Sequence, residues 1–177
     1  MHDDEWFPLQ ELTQRLGGLV WVERRLAELA SEWSRIDASA PAAVAFAALG
    51  GHHAWHAEII NQCLPTSPAL AAGEVIEAPT AGWQRAVDTL RTLDAPDATT
   101  TRLKALVRVV DPWLARELGA LTELANPVSD AAMTRWLRFA MLDHHDDGDA
   151  TIRLLTNRSG EAVTLDEHAV LSELDLS

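Results

Sequence analysis

Tyrosine is absent from the 177 residues, which removes tyrosyl-radical chemistry from consideration. Cysteine occurs once, as Cys63, so neither an internal disulfide nor a cysteine-based zinc cage can form. Cations are scarce: 14 Lys and Arg stand against 27 Asp and Glu, a formal net charge of −13. Such a chain repels nucleic acid and anionic membrane surfaces, and neither is expected as a partner. No apolar run approaches the roughly 20 residues that a bilayer-spanning helix needs. The opening Met1-His2-Asp3-Asp4-Glu5 is acidic where a secretory leader would be basic, so a cytoplasmic location is expected. Internal repeats and low-complexity tracts are missing as well.

What is present favours helix. Apolar residues make up 47% of the chain, and Ala and Leu outnumber the β-branched types. The length suits one domain over 1–177, with a bundle core at about 6–155 and a tail at 156–177. A first helix reads from about Trp6 to Ile36, with Leu9, Leu12, Leu16, Leu19, Leu26, Ala30 and Trp33 on one stripe. Gly17-Gly18 either bends it or admits a close neighbour. Pro41 opens a second helix that carries Val44, Ala45, Leu49, Ile59 and Ile60 and ends near Cys63. A long connection follows over 66–80, then a short helix over 82–93. The third helix spans about 99–125, with Pro112 predicting a kink or a restart capped by Asp111. Ser129 or Asp130 caps a fourth helix, to about Leu155, whose stripe is Met133, Trp136, Ala140 and Leu154.

Five of the seven His fall in two places: His52, His53 and His56 on the second helix, His144 and His145 on the fourth. Extending the first stripe by its own period from Leu19 lands on Glu23. On the second helix the stripe meets His52 or His53, then His56. On the fourth it meets Asp143 or His144, then Asp147. An ionised carboxylate on a core stripe is costly unless it is paired or bound to metal. Heights agree in part. A hairpin folded near 38–39 sets Glu23 beside residue 54. One folded near 127–128 sets residue 144 beside Asp111, whereas Glu117 has the better stripe but the wrong level, so the third helix leaves two alternatives. Imidazole and carboxylate donors at i, i+3 or i, i+4 project from one face, as a shared ion requires, and together suit iron, manganese, copper or zinc.

This pattern resembles the ferritin-like superfamily of carboxylate-bridged dimetal four-helix bundles, in which two helices give a Glu each and two give a Glu-x-x-His pair. Glu23 matches the first Glu. His53-Ala54-Trp55-His56 stands where the first pair belongs, with His for Glu, and His144-His145-Asp146-Asp147 stands where the second belongs, reversed and with Asp for Glu. The resemblance implies an all-α, ferritin-like four-helix bundle with a long crossover and a short extra helix. It implies an oxidoreductase acting on a small-molecule substrate with dioxygen or peroxide at a transition metal. Iron comes first, in a dinuclear site, with copper, manganese and zinc as alternatives. The ligands expected are Glu23, His52 or His53, His56, Asp143, His144 and Asp147, with Trp21, Trp55 and Trp136 as pocket walls and Arg138 or Arg153 as a carboxylate clamp. Two alternatives stand beside it. The chain is similar in outline to DinB-like bundles, which would imply one metal on His52 or His56, His144 and Asp147, Glu23 incidental, and thiol-dependent transferase or isomerase chemistry. A non-enzymatic metal-binding or homodimer-forming helical module is the other.

Overall fold

The computed structural model describes residues 9–65 and 75–158, and every regular element among them is helical. Helix α1 spans Leu9–Ile36 and α2 spans Ala40–Asn61. A short α3 covers Ala81–Arg91. Next comes a continuous helical stretch made of α4 (Thr99–Ala105), a π-helical turn (Leu106–Val110) and α5 (Asp111–Leu124). Helix α6 runs Ala131–Asn157. The tail beyond 158 and the connection over 66–74 lie outside the described residues.

The α1–α2 hairpin is the most extensive packing among the described residues. Leu16, Leu19, Leu26, Leu29 and Trp33 of α1 are all but fully buried, as the 3.6-residue stripe requires. Phe46 and Ile60 of α2 are enclosed with them, and Trp33 meets Phe46 edge-on at 5.4 Å between ring centroids. Gly50 lets the two backbones close up, since a β-carbon there would come within 2.8 Å of Ser31 Oγ. Val44, expected on the apolar side, points outward and is 72% exposed. The burying face of α2 is instead set by Ala42, Phe46, Leu49 and His53, one row round from it. Leu9 is likewise exposed at the open end of its stripe.

Gly17 and Gly18 do not interrupt α1, which is a single unbroken helix. They make room for the chain entering α3. A β-carbon on Gly17 would sit 1.9 Å from the Val75 carbonyl oxygen, and one on Gly18 would sit 2.9 Å from Pro79 Cβ. Thr80 then caps α3 by accepting from the Trp83 amide at 3.1 Å. The buried Trp83 ring packs edge-on against Trp113 at 4.8 Å, which ties α3 to α5.

Arg102 locks the far end. It is wholly buried; its guanidinium donates to the carbonyls of Leu93 and Ala95 and pairs with Asp37 at 2.7 Å. Asp37 also accepts from Thr99 and from the Ser39 amide, and the Ala38 amide donates to Pro96 O at 2.8 Å. The α1–α2 turn and the start of α4 are therefore one hydrogen-bonded unit.

Pro112 neither breaks the third stretch nor makes Asp111 its cap. The helix opens into the π turn just before it, and the Asp111 amide donates to Leu106 O, five residues back. Pro112 sits in the first turn of α5, where its missing N–H is least costly. Asp130 precedes α6 but does not cap it through its side chain. It accepts from the Asn126 amide at 2.9 Å and holds the turn instead. Helix α6 packs on both α2 and α5. Its buried residues are Met133, Leu137, Ala140, His144 and Thr151; Met133 and Ala140 belong to the predicted stripe, whereas Trp136 and Leu154 are only partly buried and Leu137 takes the enclosed place beside Trp136. None of these helices is long and apolar enough to cross a membrane.

Candidate metal centre

Glu23 lies midway along α1 with no exposed surface. Its carboxylate accepts from His53 Nδ1 at 2.6 Å on one oxygen and from His144 Nε2 at 2.8 Å on the other. A third imidazole, His56, brings Nδ1 to 3.8 Å from Glu23 Oε2. That nitrogen is buried and has no hydrogen-bond partner. Taking one donor atom from each of Glu23, His53, His56 and His144, the four atoms lie within 4.8 Å of one another. All four residues are buried. Such a group has the donor types, the spacing and the enclosure to hold a metal ion.

The geometry follows from helix periodicity. His53 and His56, three apart on α2, share a face, and the tight turn at 37–39 brings that face level with Glu23. His144 reaches the same level from α6. Burial is the largest influence on Glu23 and would push its carboxyl up. The charges of His144 and His53 and their hydrogen bonds overcome it and hold the group well below the usual carboxylate range. On His53 burial prevails over the Glu23 charge, and the imidazole titrates below its ordinary value. On His144 burial also pulls down, but Glu23, Asp111 and Asp147 together win and the imidazole titrates above it. The group therefore holds a carboxylate, a neutral imidazole at His53 and an imidazole at His144 inclined to carry a proton.

A second ring of acids braces the outside. Asp143 lies 3.1 Å from His56 Nε2; with the proton on that nitrogen, the Nδ1 lone pair is left facing the cluster. Asp147 accepts from His52 Nδ1 at 2.8 Å. His52, Asp143 and Asp147, expected among the ligands, are thus placed one shell out: His52 is on the exposed side of α2, and the two carboxylates engage imidazoles instead of joining the group. The choice on the third helix resolves against Glu117, which pairs with Arg15 at 3.4 Å on another face. Asp111 is closer, near enough to His144 and Asp147 for their charges to act on it. Burial above all, with the Asp147 charge, raises its carboxyl to about 7 against the pull of His144. Its Oδ2 would lie 3.4 Å from a β-carbon at Gly148, so the glycine lets α6 approach it.

Beside the cluster, between α5 and α6, is a cavity of about 690 Å³ whose wall includes His144 and Asp111. Leu118, Met141, Leu142 and Ile152 give it a mostly apolar lining. Pattern reading missed this cavity, because it depends on how two helices diverge and not on either stripe. Its one sequence signal is the run of apolar residues on α6 outside the core row, among them Leu142 and Ile152. The Trp expectation fails here, since Trp21, Trp55 and Trp136 do not line it. Trp55 instead leans on His56 at 5.4 Å and on Trp136 at 6.4 Å, covering the cluster from the α2–α6 side. Arg138 lines the cavity and Arg153 does not. No protein-family model, curated protein or solved structure matches this chain.

Proposed function

We propose that this protein is a metal-dependent oxidoreductase that binds one transition-metal ion through Glu23, His53, His56 and His144 and acts on a small molecule lodged between α5 and α6. The observation that carries the reading is the fully enclosed Glu23 carboxylate spanning His53 and His144, with the unpartnered His56 Nδ1 beside it. A polar cluster kept only for hydrogen bonding has no reason to leave a buried nitrogen orphaned. The same atom is a natural ligand.

The donor set favours one ion over two. Dinuclear centres of the ferritin-like kind are bridged by several carboxylates, and Glu23 is the single carboxylate in this group. Three imidazoles and one carboxylate suit iron, manganese, copper or zinc. Iron or manganese held by these four residues would supply a redox partner for dioxygen or peroxide. The chain's own residues then have distinct duties. Glu23 offsets the ion's charge and aligns two imidazoles. Asp143 fixes the tautomer and ring angle of His56. His144 stands between the cluster and the cavity, so a molecule in the cavity meets the centre on that side. Asp111, titrating near 7 in the cavity wall, can hold or accept a proton at neutral pH.

A DinB-like, thiol-dependent transferase or isomerase is the second reading, favoured by the same mononuclear donor set. The position of Glu23 weighs against it, because there the carboxylate would be incidental. Protein purified without chelators is expected to carry about one equivalent of transition metal by elemental analysis, and His56→Ala to carry almost none. Unchanged stoichiometry in the variant removes the reading. Metal-dependent dioxygen or peroxide consumption supports the oxidoreductase; turnover that requires a thiol supports the rival.

A further inference from the structure

The cavity beside His144 does not stand alone. A second cavity of about 450 Å³ adjoins it toward the α5–α6 turn, and Arg138 and Leu142 belong to the walls of both. The two have opposite character. The larger is faced mainly by aliphatic side chains, whereas the smaller gathers Arg135, Arg138 and Thr134. Arg135 and Arg138 are three residues apart on α6, hence on one side of the helix. Neither has a hydrogen-bond or ion-pair partner among the described residues. The Thr134 hydroxyl oxygen, enclosed on the same wall, also lacks a partner. In a chain with a net charge of −13, two unpaired guanidiniums and an unpaired hydroxyl at the end of an apolar trough are a directional feature.

We infer that the joined cavities take an amphipathic monocarboxylate, with its carboxylate held by Arg138 and Arg135 and its apolar body laid along α6 past His144. The guanidinium fork matches a carboxylate in shape as well as charge, and pairs with it through two parallel hydrogen bonds. The dimensions agree. Arg138 and His144 are separated by roughly 9 Å along the helix at 1.5 Å per residue, and Ile152 lies roughly 12 Å further on. A chain anchored at Arg138 therefore brings its middle, not its head, level with His144. Aliphatic wall continues beyond that point for the far end. The larger cavity alone, at about 690 Å³, is in the range that buries most of a molecule of this size. Such a substrate would be modified at a carbon remote from its acid group, by a centre that never contacts the carboxylate. The catalytic meaning of this rests on the metal reading above; the binding does not.

The test is binding of decanoate against 1-decanol, both below micelle-forming concentrations, by calorimetry and tryptophan fluorescence. It uses the full chain in metal-free and zinc-loaded forms. Decanoate is expected to bind at least about tenfold more tightly than the alcohol, and to do so in both forms. Arg138→Met, which keeps the aliphatic stem at an exposed site, is expected to abolish the preference while leaving decanol binding within twofold. Equal affinity for the two probes, a preference for the alcohol, no binding of either, or a preference that survives in Arg135→Met/Arg138→Met overturns the inference. Zinc stoichiometry measured on the same samples reports separately on the metal centre. Decanoate selectivity without zinc uptake would sink the centre and keep the carboxylate site, and zinc uptake without selectivity would do the reverse.

Discussion

In the proposed centre a proton and a metal ion would compete for the same nitrogen at His144, and the competition can be measured. Glu23 accepts from His144 Nε2 at 2.8 Å, and the imidazole titrates above its ordinary value of 6.5. At pH 6 it is therefore mostly protonated, whereas a ligating imidazole must be neutral. His53 titrates below its ordinary value, so it adds no large proton release near neutrality. Zinc binding at pH 6 is expected to expel about one proton. Its apparent affinity then strengthens by about tenfold per pH unit, or about 1.4 kcal/mol, until the His144 value is passed, and flattens above it. Glu23→Gln changes both quantities. Burial is the largest influence on His144 and pulls its value down. With the carboxylate gone only Asp111 and Asp147 oppose that pull, so the imidazole titrates lower and proton release at pH 6 falls. Affinity falls by about a hundredfold or more, because an anionic ligand is lost where even bracing groups contribute 10–100-fold. Calorimetry in two buffers of different ionisation enthalpy reads the proton count, and a chelator competition reads the affinity. A pH-independent affinity in the native protein, or Glu23→Gln binding zinc as the native chain does, would refute the reasoning.

Three further predictions concern the frame that holds the site. Arg102→Met leaves Asp37 buried and without its cation and strips donors from the Leu93 and Ala95 carbonyls. Breaking a buried pair on one side costs about 3–5 kcal/mol, so circular-dichroism melting should drop by roughly 10 °C; a loss under about 3 °C would show that the unit is dispensable. Gly17→Ala should lower the midpoint despite the better helix propensity of alanine, because the new methyl meets the Val75 carbonyl. Gly119→Ala, where a β-carbon meets nothing within 4 Å, should raise it by about 2–4 °C for roughly 1 kcal/mol.

Helical class and the four long helical stretches were legible because Leu, Ala and Trp recur at helical spacing over long segments, with Pro and Asn-Pro marking the breaks. Glu23 against His53 and His56 was legible for a sharper reason: a hairpin with a turn of few residues fixes relative height to within about one helical turn, so face and level can both be checked. On the fourth helix the stripe left Asp143 or His144 open, and the second hairpin set residue 144 only against Asp111. What could not be read is rotation. One residue of angular error, about 100°, exchanged Trp136 for Leu137, and it moved Asp143, Asp147 and His52 from the cluster to the ring around it. Pro112 was visible, but its accommodation by a π turn was not, since a wider turn leaves no compositional mark. The cavity was hidden for a related reason: the divergence of α5 from α6 is a property of the pair.

The Glu23 carboxylate joins points 30 and 121 residues away along the chain. During synthesis the α1–α2 hairpin can close early and already holds Glu23, His53 and His56. The fourth donor arrives only when α6 docks. A partly made chain thus carries an incomplete, weaker claw, and completion of the donor set coincides with completion of the fold. Whatever ion the finished molecule carries would tether the last helix to the first two, closing a long loop at its middle instead of at its ends.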